Sequence, residues 1–171
     1  MAEPTAPLDR QEWFYREQLK IARDAGLPVI VHVRRSADVL LKHLRRIEVS
    51  GGIIHAFNGS KQQADQLVAR GFRLGFGGAL TYSGSQRIRR HIATLENEAW
   101  VLETDAPYIL ASWRRDADAA QRSEPADVAR IATEVAELRG AVPLAELAAQ
   151  ARLNSIAALP GLARLLESTR E

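Results

Sequence analysis

The chain is organised around one stretch, AWVLETDAPY at residues 99–108. Its residues 100–102 form a short apolar run, which is typical of a buried β-strand. Pro107 ends the run, because proline has no N–H group to donate to a sheet ladder. Asp105 is therefore expected at the carboxyl end of a strand, which is the end of the sheet where α/β proteins bind their ligands.

Two earlier stretches repeat this pattern. Residues 27–32 read LPVIVH and residues 51–55 read GGIIH, so each apolar run ends in a histidine. If the two strands are neighbours, they lie about 4.8 Å apart, and imidazoles at their matching ends can share a metal ion. A single histidine at a strand end is usually only a hydrogen-bonded residue, but two at equivalent ends favour a joint site. We therefore expect His32, His55 and Asp105 to act as metal ligands on one rim.

Helical and extended patterns alternate along the rest of the chain. Strands are predicted at residues 28–32, 52–55, 72–76 and 100–103. Apolar positions at helical spacing predict helices at residues 9–24, 36–47, 61–70, 85–94, 125–139, 143–152 and 154–167. Alternation at this spacing implies parallel strands joined by right-handed crossovers. The predicted fold class is therefore α/β, with about four parallel strands and flanking helices.

Local signals place the domain and some helix ends. Residues 1–8 are expected to form a flexible N-terminus, and residues 9–171 a single folded domain. Asp9 is the expected cap of the first helix, with Glu12 in the capping-box position. The last two helices are expected to join near Asn154.

Four parallel strands are too few to close a barrel. A (βα)8 barrel has twice as many strands and typically about 250 residues, whereas this chain has 171. The alternatives are a small open doubly wound domain and a part of a barrel. An isolated half-barrel would expose two sheet edges, which argues for a partner that completes it: an N-terminal segment, a second chain or a swapped dimer.

Composition excludes several classes of site. The chain contains no cysteine, which excludes disulfides, thiolate zinc sites and a cysteine nucleophile. Its net charge of +2 permits a polyanionic partner but does not require one. No run approaches the roughly 18 apolar residues of a membrane span, and the first residues have no signal pattern. We therefore expect no membrane partner and a cytoplasmic location.

Several polar residues near the predicted rim have two interpretations. Glu103 shares a face with Asp105, so it either supports the metal ligands or pairs with an arginine. Arg34 either contacts a substrate phosphate or is an ordinary solvated charge. His43 and His91 lie inside predicted helices beside arginines, where we expect them at the surface.

Glycines lie at the end of the third predicted strand and just after it, and arginines follow in the next predicted helix. The glycines at positions 75, 77 and 78 do not form a G-x-G-x-x-G motif or a P-loop, and we interpret them as steric relief beside a crowded rim. The arginines at positions 87, 89 and 90 form a small basic helix face, which is usually solvated but which a nucleic-acid backbone could use.

The motifs together resemble the TatD family of metal-dependent hydrolases. They occur in the same order and spacing as in that family: PVIVHVR at 28–34, IIHAFNG at 53–59, GFGG at 75–78, LETDAPY at 102–108, then Glu124-Pro125 and Asn154. The resemblance covers residues 9–165, and its most specific part is E-T-D-A-P. It implies an amidohydrolase-like TIM-barrel fold, a divalent two-metal site and phosphodiester hydrolysis on DNA. It also implies metal-ligand roles for His32, His55 and Asp105, with Asp105 as the acid/base that orients water.

The chain departs from the family pattern at its beginning. The family starts with a strand that carries H-x-H and later has a ligand glutamate in a G-E-x-G-L-D segment, and neither occurs here. Residues 8–11 resemble the sequence just after that glutamate. The resemblance therefore implies the C-terminal part of the barrel, without its first strands and three of its usual ligands.

Two functions follow as alternatives. The first is a TatD-like hydrolase of DNA phosphodiester bonds that uses Mg²⁺, Mn²⁺ or Zn²⁺ and is incomplete or impaired without the missing ligands. The second is a catalytically inactive remnant that only binds metal or nucleic acid. RNA and aminoacyl-tRNA are further candidate substrates that the resemblance implies. An open-sheet phosphate-binding domain is disfavoured, since no glycine-rich turn follows the first strand.

Overall fold

The computed structural model describes residues 7–34, 36–115 and 122–168. One parallel sheet has the strand order β1-β2-β3-β4, with β1 Val29–His32, β2 Gly52–His55, β3 Phe72–Phe76 and β4 Trp100–Leu102. The helices in the described residues are α1 Leu8–Asp24, α2 Ala37–Leu44, α3 Lys61–Val68, α4 Gln86–Thr94, α5 Asp127–Leu138, α6 Leu144–Ala158 and α7 Gly161–Ser168. The predicted α/β class with four parallel strands is confirmed.

The register between β1 and β2 places the two histidines side by side. His32 pairs with His55, and Val29 pairs with Gly52 at the other end of the strands. A Cβ atom at Gly52 would lie 1.9 Å from the Val29 carbonyl oxygen, and its φ is +135°. Only glycine fits both conditions, so this residue allows β1 to approach β2 closely.

The two faces of the sheet differ in what covers them. Alternate side chains point to opposite faces of a strand, and one face is packed under the helices by residues that include Ile54, Leu74 and Trp100. On the other face, Ile30 is 63% exposed and His32 is exposed as well, whereas Val101 of β4 is buried. This face is thus open beside β1. In the part of the chain that the structure describes, no strand pairs with the outer edge of β1. The packed face thus forms the core, and the open face borders the candidate site.

The beginning of α1 differs from the prediction. The helix starts at Leu8 with Pro7 as its N-cap and no side-chain cap, so the expected Asp9 capping box is wrong. Glu12 instead binds Lys42 and His43 of α2. The predicted flexible N-terminus covers residues 1–8, and residues 1–6 lie outside the described residues. Leu8, by contrast, is helical. The single domain at 9–171 stays a prediction.

Helix α6 runs through Asn154, where the sequence predicted a junction. Asn154 is buried, and its Nδ2 donates to the carbonyl oxygens of Asn97 at 2.6 Å and Trp100 at 2.7 Å. The amide therefore ties α6 to the start of β4. This long-range contact favours a residue that has a weak helix propensity.

The two helical histidines are buried, which corrects the expectation that they lie at the surface. His43 Nε2 lies 2.8 Å from Glu12 Oε1 of α1. His91 Nε2 lies 2.9 Å from the Gly59 carbonyl oxygen, and its ring contacts Phe57. Each histidine thus joins two elements that are distant in sequence.

None of the helices in the described ranges combines the length and the apolar character that crossing a bilayer requires. The expected cytoplasmic location stays a prediction.

Candidate functional site

The predicted metal ligands lie at the carboxyl ends of β1, β2 and β4. The ring centroids of His32 and His55 are 5.1 Å apart, and the rings are tilted by 39°. His55 Nε2 lies 3.4 Å from Asp105 Oδ1. The structure therefore brings His55 close to both His32 and Asp105, whereas a flat sheet would leave Asp105 two strands and about 10 Å away.

Glu103 lies against the other nitrogen of His55. Its Oε2 is 2.9 Å from His55 Nδ1, while its Oε1 accepts a 2.6 Å hydrogen bond from the backbone N–H of Ala56. Both side chains are largely buried. Of the two interpretations of Glu103, the geometry thus supports the contact with a candidate ligand. A carboxylate on Nδ1 fixes the ring orientation and leaves Nε2 to face outward.

Two glycines make room for Glu103. A Cβ atom at Gly75 would lie 2.0 Å from Glu103 Oε2, and one at Gly77 would lie 2.8 Å from the Glu103 carbonyl oxygen. Gly75 pairs with Val101 in the sheet, so its empty position faces the carboxylate across the strands. This agrees with the interpretation of these glycines as steric relief beside the rim.

Two of the three non-glycine residues with positive φ in the described ranges lie at the same place, and the third, Ala141, lies between α5 and α6. Ala56 has φ +51° and Ile109 has φ +40°, although neither is a glycine. A β-branched residue at positive φ is a genuine outlier, and both residues line the cavity of about 30 Å³ beside His55 and Asp105. Strained residues of this kind cluster at functional sites, where the surrounding structure enforces them.

The electrostatic surroundings of His55 favour positive charge. The hydrogen bond to Glu103 raises the pKa of His55 above its ordinary value, and burial opposes this increase. The charges of Glu103 and Asp105 raise the same pKa further. Surroundings that favour a proton on the ring also favour a bound cation, which competes with that proton.

The donor set fits one side of a divalent metal site. Two ligands of a tetrahedral ion with bonds of about 2.1 Å lie about 3.4 Å apart, and the same distance separates His55 Nε2 and Asp105 Oδ1. Within residues 7–34, 36–115 and 122–168, however, no three His, Asp or Glu side chains converge to hold an ion. His55 and Asp105 thus fit a metal ion, with His32 beside them, but they do not enclose it.

Arg34 lies on the rim, in a groove of about 800 Å³ that His32 and Asn58 also line. It is exposed and has no ion pair with a described residue. The structure is thus compatible with both interpretations of this residue.

A second polar network holds the loop that follows Asp105, and no motif in the sequence predicted it. Arg114 donates to both carboxylate oxygens of Asp127 at 2.9 and 2.8 Å, and Asp127 also accepts from the Glu124 N–H. Ser123 N–H reaches back to the Pro107 carbonyl oxygen. The available signal was a carboxylate in the first turn of a helix, where the dipole stabilises it.

Comparisons with known proteins point to one family. The family model described as TatD related DNase matches residues 1–159. The uncharacterized metal-dependent hydrolase YjjV of Escherichia coli (strain K12) is 40% identical over 148 residues, 86% of this chain and 55% of the relative. The 3'-5' ssDNA/RNA exonuclease TatD of Rahnella sp. (strain Y9602) is 30% identical over 141 residues, 81% of this chain and 54% of the relative.

Solved structures agree with these matches. The crystal structure of the Escherichia coli YjjV protein, a TatD homologue, matches with a TM-score of 0.80 and 37% identity, over 89% of this chain and 57% of that one. A TatD family hydrolase from Entamoeba histolytica has a TM-score of 0.74 at 19% identity and supports the fold alone. The predicted TIM-barrel-like fold is thereby confirmed, and the chain spans about half the length of the curated relatives it matches.

Proposed function

The chain belongs to the TatD-related DNase family, and on this premise we propose that it takes part in divalent-metal-dependent hydrolysis of phosphodiester bonds in nucleic acid. The observation that carries the proposal is the placement of His55 between Glu103 and Asp105 at the carboxyl end of the sheet. Relatives of this chain are described as metal-dependent hydrolases, which implies a divalent ion.

Each residue of the rim has a defined task in this proposal. His55 Nε2 and Asp105 hold the ion, His32 contributes beside them, and Glu103 keeps the His55 ring in place. The ion, which we propose to be Mg²⁺, Mn²⁺ or Zn²⁺, supplies Lewis acidity that polarises a phosphoryl oxygen and eases the ionisation of water. Asp105 orients the attacking water and accepts its proton, and it later returns that proton to the leaving oxygen.

The proposed substrate is a DNA or RNA strand. Some relatives are described as 3'-5' ssDNA/RNA exonucleases, and Arg34 on the rim has no carboxylate partner among the described residues. A guanidinium pairs with the planar oxygens of a phosphate in two parallel hydrogen bonds. We therefore assign Arg34 to a substrate phosphate.

Further ligands must come from outside the described residues if the ion is to be enclosed. The open face of the sheet and the unpaired edge of β1 adjoin His32. We propose that an N-terminal segment or a second chain pairs with this edge, completes the barrel and adds the missing ligands. The absence of a three-ligand group in the described ranges also favours a second candidate, a protein that binds metal or nucleic acid without hydrolysis.

Hydrolysis of a single-stranded oligonucleotide by the full chain tests the proposal. With Mn²⁺ or Mg²⁺ we expect cleavage that chelation abolishes and that Asp105→Asn reduces by about 10² to 10⁴-fold. Asp65→Asn is the matched control, because Asp65 is an exposed carboxylate on α3 whose side chain pairs, among the described residues, with Lys61 alone. Mn²⁺ binding without cleavage supports the second candidate. Cleavage that survives chelation contradicts both.

A further inference from the structure

Two grooves on the rim share a wall and together form one path. The groove beside His32 and Arg34 shares Asn58, Arg87 and Ile88 with a second groove of about 560 Å³, which Arg90 also lines. A cavity of a few hundred Å³ holds a whole small-molecule ligand. The joined grooves are therefore long enough for more than one unit of a polymer.

The same path reaches the candidate metal ligands. Ala56, Ile88 and Ile109 line both the first groove and the cavity beside His55 and Asp105. A ligand that lies in the grooves thus borders the site where we place the chemistry.

The arginines of the path differ from their neighbours. Arg34, Arg87 and Arg90 are exposed, and none of them has an ion pair or a side-chain hydrogen bond with another residue of the described ranges. Arg89, which lies between two of them in sequence, binds Glu134 and the Leu80 carbonyl oxygen instead. The charges that face the path are therefore available to a ligand.

The remaining charge on the path is compatible with an anion. Asp38 lines the first groove, where it accepts a hydrogen bond from Gln63. The first turn of α4, which begins at Gln86, contains no acidic residue, and its N-cap Ser85 makes no side-chain cap bond. The N–H groups of this turn, together with Arg87, favour a negative group.

We propose that these grooves form a phosphate track for one nucleic-acid strand, with Arg34, Arg87 and Arg90 on successive backbone phosphates. The track crosses Asn58 between the rim of β1 and the start of α4, and it delivers the strand to His55 and Asp105. The inference rests on the proposed function for its substrate class and adds the residues that hold the strand away from the reacting bond.

Binding without chemistry tests the track separately from the hydrolase. The full chain is titrated against labelled oligothymidylate and oligouridylate of about 12 nucleotides, with a chelator present. For single strands, log K falls by about 0.7 per neutralised phosphate for each unit of log salt. The double variant Arg87→Gln/Arg90→Gln is therefore expected to lower this slope by about 1.4. Between about 50 and 200 mM salt, wild type should lose about sevenfold more affinity than the variant.

The control variant is Arg46→Gln/Arg152→Gln. Both arginines are exposed, have no ion pair with a described residue and lie outside the two grooves. The control should keep the wild-type slope and affinity. If the double variant of the track fails to fold, Arg87→Gln and Arg90→Gln are measured singly, with about 0.7 expected for each.

The outcomes separate the track from the hydrolase. A lowered slope with similar affinity for DNA and RNA supports the track, even if wild type fails to cleave a small phosphodiester with Mn²⁺, a result that counts against the hydrolase alone. No binding by wild type, an unchanged slope in the variant, or an equal decrease in the control overturns the track. A preference of more than about tenfold for one of the two strands overturns it as well, because both strands present the same backbone phosphates and contacts to phosphate carry no sequence information.

Discussion

His32 and His55 occupy matching positions in neighbouring strands, yet their surroundings differ. His55 is 15% exposed in its side chain and contacts carboxylates through both ring nitrogens. His32 is exposed, and the one ring contact that the structure shows for it is with His55. The register of β1 and β2 places both histidines at the rim. Only His55 is also oriented by carboxylates, those of Glu103 and Asp105, which follow β4. The site is thus preorganised on the side of β4 and open on the side of β1.

The helices behind the two strands show the same contrast. Ser60 caps α3 after β2 through a full capping box with Gln63, whereas Ser36 at the start of α2 after β1 makes no side-chain cap bond. Of these two helices, the one that follows His55 therefore has the more completely satisfied N-terminus.

The largest effect is expected from a substitution that breaks the pairing of β1 with β2. In Gly52→Ala, the new methyl group would meet the Val29 carbonyl oxygen at 1.9 Å, so the strands must separate. We expect the free energy of unfolding, measured in urea, to fall by about 4 kcal/mol. Gly161→Ala is the control, because nothing lies within 4 Å of a Cβ there, and it should stay within about 0.5 kcal/mol of wild type. Equal stabilities would contradict the close approach of β1 and β2.

The second-largest effect is expected from a substitution in the network that holds the loop after Asp105. Asp127→Ala leaves the Arg114 guanidinium without its bidentate partner and should lower the free energy of unfolding by about 3 kcal/mol at pH 7. Asp65→Ala removes only an exposed pair with Lys61 and should cost less than about 1 kcal/mol.

This effect should depend on pH with a defined sign. Burial raises the pKa of Asp127, but hydrogen bonds from Arg114 and the Glu124 N–H outweigh it, so the pKa in the folded protein lies below the ordinary value of 3.8. The stabilisation is therefore complete above that ordinary value and is lost as the pH falls through the lower folded pKa. Urea titrations at several pH values should show wild type and Asp127→Ala converging in acid. A difference that grows in acid would contradict the assignment.

A smaller effect is expected from a change of Glu103, whose contact with His55 distinguishes the two histidines. Glu103→Gln keeps the size of the side chain but removes the charge that favours His55 as a ligand, so Mn²⁺ affinity should fall about 10 to 100-fold. Calorimetric titration measures it, with Glu98→Gln, an exposed carboxylate before β4, as the control. Unchanged affinity in Glu103→Gln would show that Glu103 does not support a metal ligand, and no Mn²⁺ binding by wild type would contradict the metal site itself.

The smallest effect compares the two helix caps. Ser60→Ala removes the side-chain bond to the Gln63 N–H and should cost about 1 kcal/mol of unfolding free energy. Ser36→Ala removes no such bond and should cost a few tenths at most. Equal losses in thermal or urea unfolding would remove the contrast between these two helix N-termini.

Much of this asymmetry is absent from the sequence pattern. The strands and the pairing of His32 with His55 follow from local apolar runs that end in polar residues. Strand spacing alone would leave Asp105 about 10 Å from His55, so their 3.4 Å contact is a property of the assembled structure. The orientation of His55 depends on Glu103, whose two possible roles the sequence left open. A contact between the ends of β2 and β4 becomes visible only when the sheet is assembled.

The errors have the same cause. His43 and His91 have charged neighbours in sequence, but their neighbours in space are Glu12 and the Gly59 carbonyl oxygen. Asn154 looks like a break in a helix until its contacts with the backbone before and in β4 are known. Hydrophobic periodicity indicates which face of a helix is apolar. It does not indicate which buried polar group of another element a residue contacts.

The empty position at Gly75 has a consequence for the orientation of His55. Because a methyl group there would overlap with the Glu103 carboxylate, that side chain would have to turn away from His55 and from the Ala56 N–H to make room. Alanine at position 75 would thus loosen the histidine from behind, through a strand that carries none of the candidate ligands.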